Sequence, residues 1–168
     1  QGYSSFMDAA GPLLSEYGFK AAINIVGEHV GGFVSGNDPR LSWDECRALL
    51  KSGLVEIGCH SYGLHFWYGN MPRASAIAAF NEKLAQDLAT FQEVYRREMG
   101  RYAKILAWPY GMHDGRSIEI ARQSGFHFIL NSDSGYYARG GNQFDIPRLT
   151  IAGNTGLRLF RESIETRR

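Results

Sequence analysis

The chain has 168 residues, 44% of them hydrophobic and 21% charged, a length and balance that fit one globular domain with an enclosed core. Eighteen basic against 17 acidic residues give a formal net charge of +1, which removes any electrostatic case for nucleic acid or an anionic membrane as partner. No apolar run is long enough to span a bilayer, and the opening residues carry neither a basic nor an apolar signal region, so no transmembrane segment and no signal peptide is expected.

In chain order, "SSFMDAAGPLLSEYG" sets Phe6, Ala9, Ala10, Leu13 and Leu14 at helical spacing and stops at Gly18. "FKAAINIVG" then alternates as a strand, with Ala21, Ile23 and Ile25 on one face and Ala22 and Val26 on the other. "LSWDECRALLKSG" opens with Ser42 and Glu45 at capping-box spacing and ends at Gly53, so a short helix is expected before the strand "LVEIGC". From about Arg73 to Met99 the residues Ile77, Phe80, Leu84, Leu88, Phe91 and Tyr95 recur every three or four positions, the stripe of a long helix packed on a core. "KILAW" and "FHFIL" read as strands separated by the helical "GRSIEIARQSG", with His127 a packed strand residue. "IPRLTI" reads as a last strand before the helix "TGLRLFRESIETRR". Four or five alternations of helix and strand predict an α/β fold, either a mostly parallel sheet or an open barrel. In such folds the chemistry sits at the carboxyl ends of the strands.

Polar and aromatic residues gather at those ends. His60 and His65 follow "LVEIGC", Trp108, Pro109, Tyr110 and Gly111 follow "KILA", and Asn131, Ser132 and Asp133 follow "FHFIL". Two neutral imidazoles are a common offering to zinc and related divalent ions, and they need a third ligand, usually a carboxylate, from elsewhere. The two cysteines, Cys46 and Cys59, have no CxxC spacing, and Cys59 on its strand points to the face opposite His60, so a buried apolar role is expected for it. Tyr62, Phe66, Trp67 and Tyr68 crowd the histidines, either as stacking faces for sugars or as plain packing.

With these residues on view, the chain resembles the polysaccharide deacetylases of carbohydrate esterase family 4 along nearly its whole length. "CHSYGLH" is similar to the family's metal-binding histidine motif, "WPYG" to its third motif, and "GYSSFMDAAGPLLSEYGFKAAINIVG" to the segment after its first motif. Members usually separate the two histidines by three residues; here four intervene, as in the branch acting on poly-β-1,6-N-acetylglucosamine, which "AWPYG" and "IPRLTI" also resemble. The resemblance implies a distorted, open (β/α) barrel lacking its first strand in this chain, a single domain over residues 1–168 that is the C-terminal part of a longer one. It implies metal-dependent hydrolysis of N-acetyl groups on an extracellular polysaccharide, with chitin, xylan or peptidoglycan as the alternative substrates. The cofactor implied is a divalent ion, zinc first and cobalt or nickel after it, held by His60 and His65. Tyr110 is implied as backbone oxyanion donor. Asp133 and Arg148 are candidates to orient or pair with catalytic groups, and Trp108, Pro109, Tyr62 and Trp67 to bind substrate. A periplasmic, cell-surface or secreted location and a further domain in the full protein are implied as well.

The family pattern departs at one point. Two adjacent aspartates, a base and then a metal ligand, stand before the glycine that matches Gly2, and here Gln1 holds the position of the metal Asp. An amide oxygen is a much poorer ligand for a divalent cation than a carboxylate. Two explanations follow, a piece of a longer domain or a degenerate domain that keeps the fold and binds glycan without hydrolysing it. The intact His60, His65 and "WPYG" favour the first.

Overall fold

The computed structural model describes residues 1–34, 38–66 and 71–165. The first helical stretch is two helices, α1 (Phe6–Ala9) and α2 (Gly11–Tyr17), rather than one. Pro12 causes the break, because it has no N–H to continue the ladder and its ring crowds the carbonyl one turn earlier. Gly18 ends α2 in the left-handed conformation, φ 65°. β1 (Ala21–Ile25) follows, then a 3-10 turn over Gly27–His29 and a two-residue antiparallel hairpin of β2 (Phe33–Val34) and β3 (Asp38–Pro39) that the sequence pattern does not predict. α3 (Trp43–Lys51) begins with the capping box expected of Ser42 and Glu45, each bonding the other's backbone N–H.

The site is carried by β4 (Val55–Cys59) and β5 (Ile105–Ala107), with the long α4 (Arg73–Met99) crossing between them. A second capping box, Asp114 with Ser117, starts α5 (Gly115–Gln123), and β6 (Phe128–Leu130) and α6 (Leu157–Glu165) complete the chain. The sheet runs β1-β4-β5-β6, every pair parallel, with Ile23 beside Ile57 and Leu106 beside Ile129. Each new strand is thus laid beside the last after a helical crossover, which is the α/β arrangement the alternation predicts.

The expected strand "IPRLTI" contributes one parallel bridge, Ile146 to Leu130, where Asn131 N–H donates to Ile146 O at 2.9 Å. Pro147 next in line has no N–H to extend the ladder. His127, expected inside a strand, is exposed and precedes β6. The core is built as the stripe predicts: Ile77, Phe80, Leu84, Leu88, Phe91 and Tyr95 of α4 are all buried against the sheet, with Tyr95 donating its hydroxyl to Ile57 O at 2.9 Å. Cys46 and Cys59 are buried free thiols in that core, and desolvation pushes the Cys46 thiol up to about 12. No helix among the described residues is long and apolar enough to cross a membrane.

Candidate functional site

β4 stops at Cys59, and the chain turns so sharply that Ser61 takes a φ of 80°, in the left-handed region that a residue with a Cβ rarely enters. Such a residue costs of order 1–3 kcal/mol and persists only where its surroundings hold it. Ser61 is 1% exposed, and the loop after it is gripped from two sides. On one side Gly27 N–H donates to Ser61 O at 3.1 Å and Glu28 N–H to Tyr62 O at 3.0 Å. On the other, Asp87 of α4 accepts Tyr62 N–H and Gly63 N–H, both at 2.7 Å. Burial raises the Asp87 pKa, while the backbone N–H groups of Gly63, Tyr62 and Leu64 pull it back down. Position 27 has room only for glycine, because a Cβ there would lie 2.5 Å from the Tyr62 ring.

This loop brings the His60 and His65 rings to 4.9 Å between centroids. His60 Nδ1 lies 2.7 Å from Ala107 O, and since a carbonyl only accepts, that nitrogen carries the proton and Nε2 keeps its lone pair. A ligand histidine held in this way by a backbone carbonyl is the usual arrangement around a bound metal. Burial holds the His60 pKa down to about 4 against that Ala107 bond, and burial lowers His65 as well. Both rings are therefore neutral donors at pH 7.

The third side is formed by Gln1. Its Nε2 lies 3.2 Å from His65 Nε2, and its Oε1 accepts from the Tyr3 hydroxyl at 3.4 Å. Beneath it Arg40, only 7% exposed, donates Nη1 to Gln1 O at 3.3 Å and lies 3.6 Å from the centre of the Tyr3 ring, while its Nε has no hydrogen-bond partner among the described residues. Among the described residues no third His, Cys, Asp or Glu joins the two imidazoles as a metal-holding group. The charge nearby is also positive, since Arg148 acts on His60 and Arg40 on His65 in the direction that disfavours a further cation. His60 and His65 thus fit a divalent ion, and position 1 does not supply the carboxylate that would complete the site.

A cavity of about 580 Å³ opens beside them, walled by Gln1, Tyr3, Phe6, Asn24, His60 and Arg148. Arg148 enters it from the loop after β6, donating Nε to Asn131 O at 2.7 Å. Tyr110 stands at the end of β5 with φ 53°, its ring 4.9 Å from that of His65, in a 3-10 turn whose Pro109 and Gly111 are buried. The structure so places Gln1, His60 and Arg148 in one cavity wall, with His65 against Gln1 and Tyr110 against His65 beside it. Other candidates fall elsewhere. Trp108 is 2% exposed and packs edge-on against Phe80, so it belongs to the core and presents no face to a sugar. Pro109 is buried in the turn beside it. Tyr62 packs behind the loop against the core, and Asp133 is exposed and does not line the cavity. Trp67 lies outside the described residues.

Asp87 and Arg40 were not singled out from the sequence. Asp87 had a readable signal, because it falls three residues after Leu84 and four before Phe91, a carboxylate on an otherwise apolar stripe. Arg40 had none, since its burial comes from the hairpin that folds it under Tyr3.

Relatives share this chain's pattern at low identity. It is 24% identical over 193 residues to the poly-β-1,6-N-acetyl-D-glucosamine N-deacetylase of Escherichia coli K12, covering 98% of this chain and 29% of that protein. The enzyme of the same name from Staphylococcus aureus MSSA476 matches over 141 residues at 24%, covering 84% of this chain and 48% of that protein, so the chain spans less than half of either relative. A solved de-N-acetylase from Aggregatibacter actinomycetemcomitans has the same fold, with a TM-score of 0.81 at 23% identity over 98% of this chain and 72% of that one. The family model for polysaccharide deacetylase matches residues 1–129, which takes in both histidines and the Tyr110 turn, and the chain belongs to that family.

Proposed function

We propose that this domain is the deacetylase part of a larger protein that removes N-acetyl groups from poly-β-1,6-N-acetylglucosamine of biofilm matrix, in the periplasm, at the cell surface or after secretion. The observation that carries the proposal is the His60 and His65 pair, neutral, with ring centroids 4.9 Å apart and His60 in the wall of a cavity at the strand ends. Family membership and the names of the low-identity relatives support the substrate class. A divalent ion, zinc before cobalt or nickel, is the group His60 and His65 would hold, and when bound such an ion supplies Lewis-acid polarisation and an activated water.

The chain's own residues then have these roles. Ala107 O fixes the His60 ring, and the backbone of Tyr110, held in its left-handed turn by Pro109 and Gly111, is the candidate donor to an oxyanion. Arg148, in the cavity wall, is the cation available to pair with a carboxylate. Asp133, outside the lining, has no part in this reading. Gln1 favours a second reading, glycan binding without hydrolysis, because the position that faces His65 is a neutral amide.

Acetate release separates the two. With excess zinc, a chain carrying Gln1→Asp and a further aspartate added ahead of it, in the place of the family's base, is expected to release acetate from β-1,6-linked N-acetylglucosamine oligomers and not from acetylated xylan. Saturable oligomer binding with no acetate from either form supports the second reading, and absence of both binding and hydrolysis contradicts both.

A further inference from the structure

The loop between the two histidines is shaped by a group outside the cavity. Once β4 has ended, the N–H groups of Tyr62 and Gly63 have no strand ladder to join, and half-buried amides left unpaired cost of order 1–3 kcal/mol each. Asp87 meets both, one carboxylate oxygen to each, at 2.7 Å. Bonds of that length to an ionised acceptor are the strong, charge-assisted kind. The carboxylate is itself anchored, because its helix is pinned to the sheet by the fully buried Leu84, Leu88 and Phe91 on either side of it. The loop it grips contains the left-handed Ser61 and ends in His65, so moving residues 62 and 63 moves the second imidazole relative to the first.

We propose that Asp87 is a positioning residue for the His60 and His65 pair: its carboxylate fixes the backbone of Tyr62 and Gly63, and through it the separation and angle of the two rings. The inference rests on the reading of these histidines as metal ligands. Asp87 touches neither substrate nor metal in this role. A carboxylate is required and its volume is not enough, since an amide has one acceptor oxygen and would turn its NH₂ toward the second N–H.

Asp87→Asn is therefore the deciding variant, with Asp87→Glu, which keeps both acceptors, as the rescue. Far-UV circular dichroism and thermal melting establish that each variant is folded. Hydrogen exchange at Tyr62 and Gly63 in the metal-free chain then reads the clamp, and zinc calorimetry in the Gln1→Asp background, with His65→Ala as control, reads the ligands. We expect exchange at these two amides to rise at least about 10-fold in Asp87→Asn while Leu88 and Phe91 are unchanged, and zinc affinity to fall about 10- to 100-fold, the range for groups that orient metal ligands. Asp87→Glu should recover most of both. Faster exchange with unaltered zinc affinity in a folded Asp87→Asn chain overturns the proposal, and so does no change in either. If the Gln1→Asp chain binds zinc no better than His65→Ala, the metal reading fails on its own. The clamp is then decided by the cross-relaxation signal between the His60 and His65 rings, whose persistence in Asp87→Asn overturns it and whose loss upholds it.

Discussion

His60 owes its character to two neighbours, a backbone carbonyl that accepts a hydrogen bond from its Nδ1–H and a packed surround that desolvates it. Because burial lowers its pKa from an ordinary 6.5 to about 4, the folded chain resists a proton that the unfolded chain accepts. Stability from this source is complete above about pH 6.5 and is lost as pH falls toward 4, a loss of about 3 kcal/mol at most. A proton NMR titration of the His60 ring is expected to show a midpoint near 4, with His60→Gln flattening the acid side of the stability curve; a midpoint near 6.5 would mean the ring is solvated. At this scale the sequence was legible where spacing along the chain decides, as with His60, His65 and Gln1. It was misleading at Trp108, which shares a face with the buried Leu106 and so turns inward. Asp87 could be noticed as a carboxylate on an apolar stripe, but its partners could not be read, because the separation of 24 positions from Gly63 is closed only once α4 has packed.

Among elements, α4 and the capped α3 were readable because their signals are local, a repeat every three or four residues and a Ser-x-x-Glu start. The hairpin of β2 and β3 was not, since two residues a strand carry no period to read. Replacing Phe80, the fully buried residue that abuts Trp108, by Ala should cost about 3–5 kcal/mol in urea unfolding and loosen the turn that carries Tyr110. Strand β4 sets a stricter limit. A Cβ on Gly58 would stand 2.3 Å from Asn24 Oδ1 and 3.0 Å from Ile105 O, so β1 and β5 both close on it. Gly58→Ala is expected to lower stability by about 1–3 kcal/mol or more, and a melting temperature equal to that of the unaltered chain would show the strands have slack that this packing denies.

For the molecule as a whole, alternation of helix and strand predicts the parallel α/β sheet that is found and sets the candidate residues at one end of it, while the exact closure around the mouth depends on contacts between distant segments. Gln1, His65 and Arg40 meet there from three separate stretches of chain. Their sum is a site with two good imidazole donors, a neutral amide in the third place and a surplus of positive charge, and position 1 decides how well it holds a cation. The direct test is zinc calorimetry at pH 7 on the unaltered chain, on Gln1→Asp and on His65→Ala. One ion per chain is predicted for Gln1→Asp, binding at least about 100-fold weaker for the unaltered chain, a loss at or beyond the upper end for outer groups, and none for His65→Ala. Equal affinity in all three would contradict a metal site built from His60, His65 and position 1.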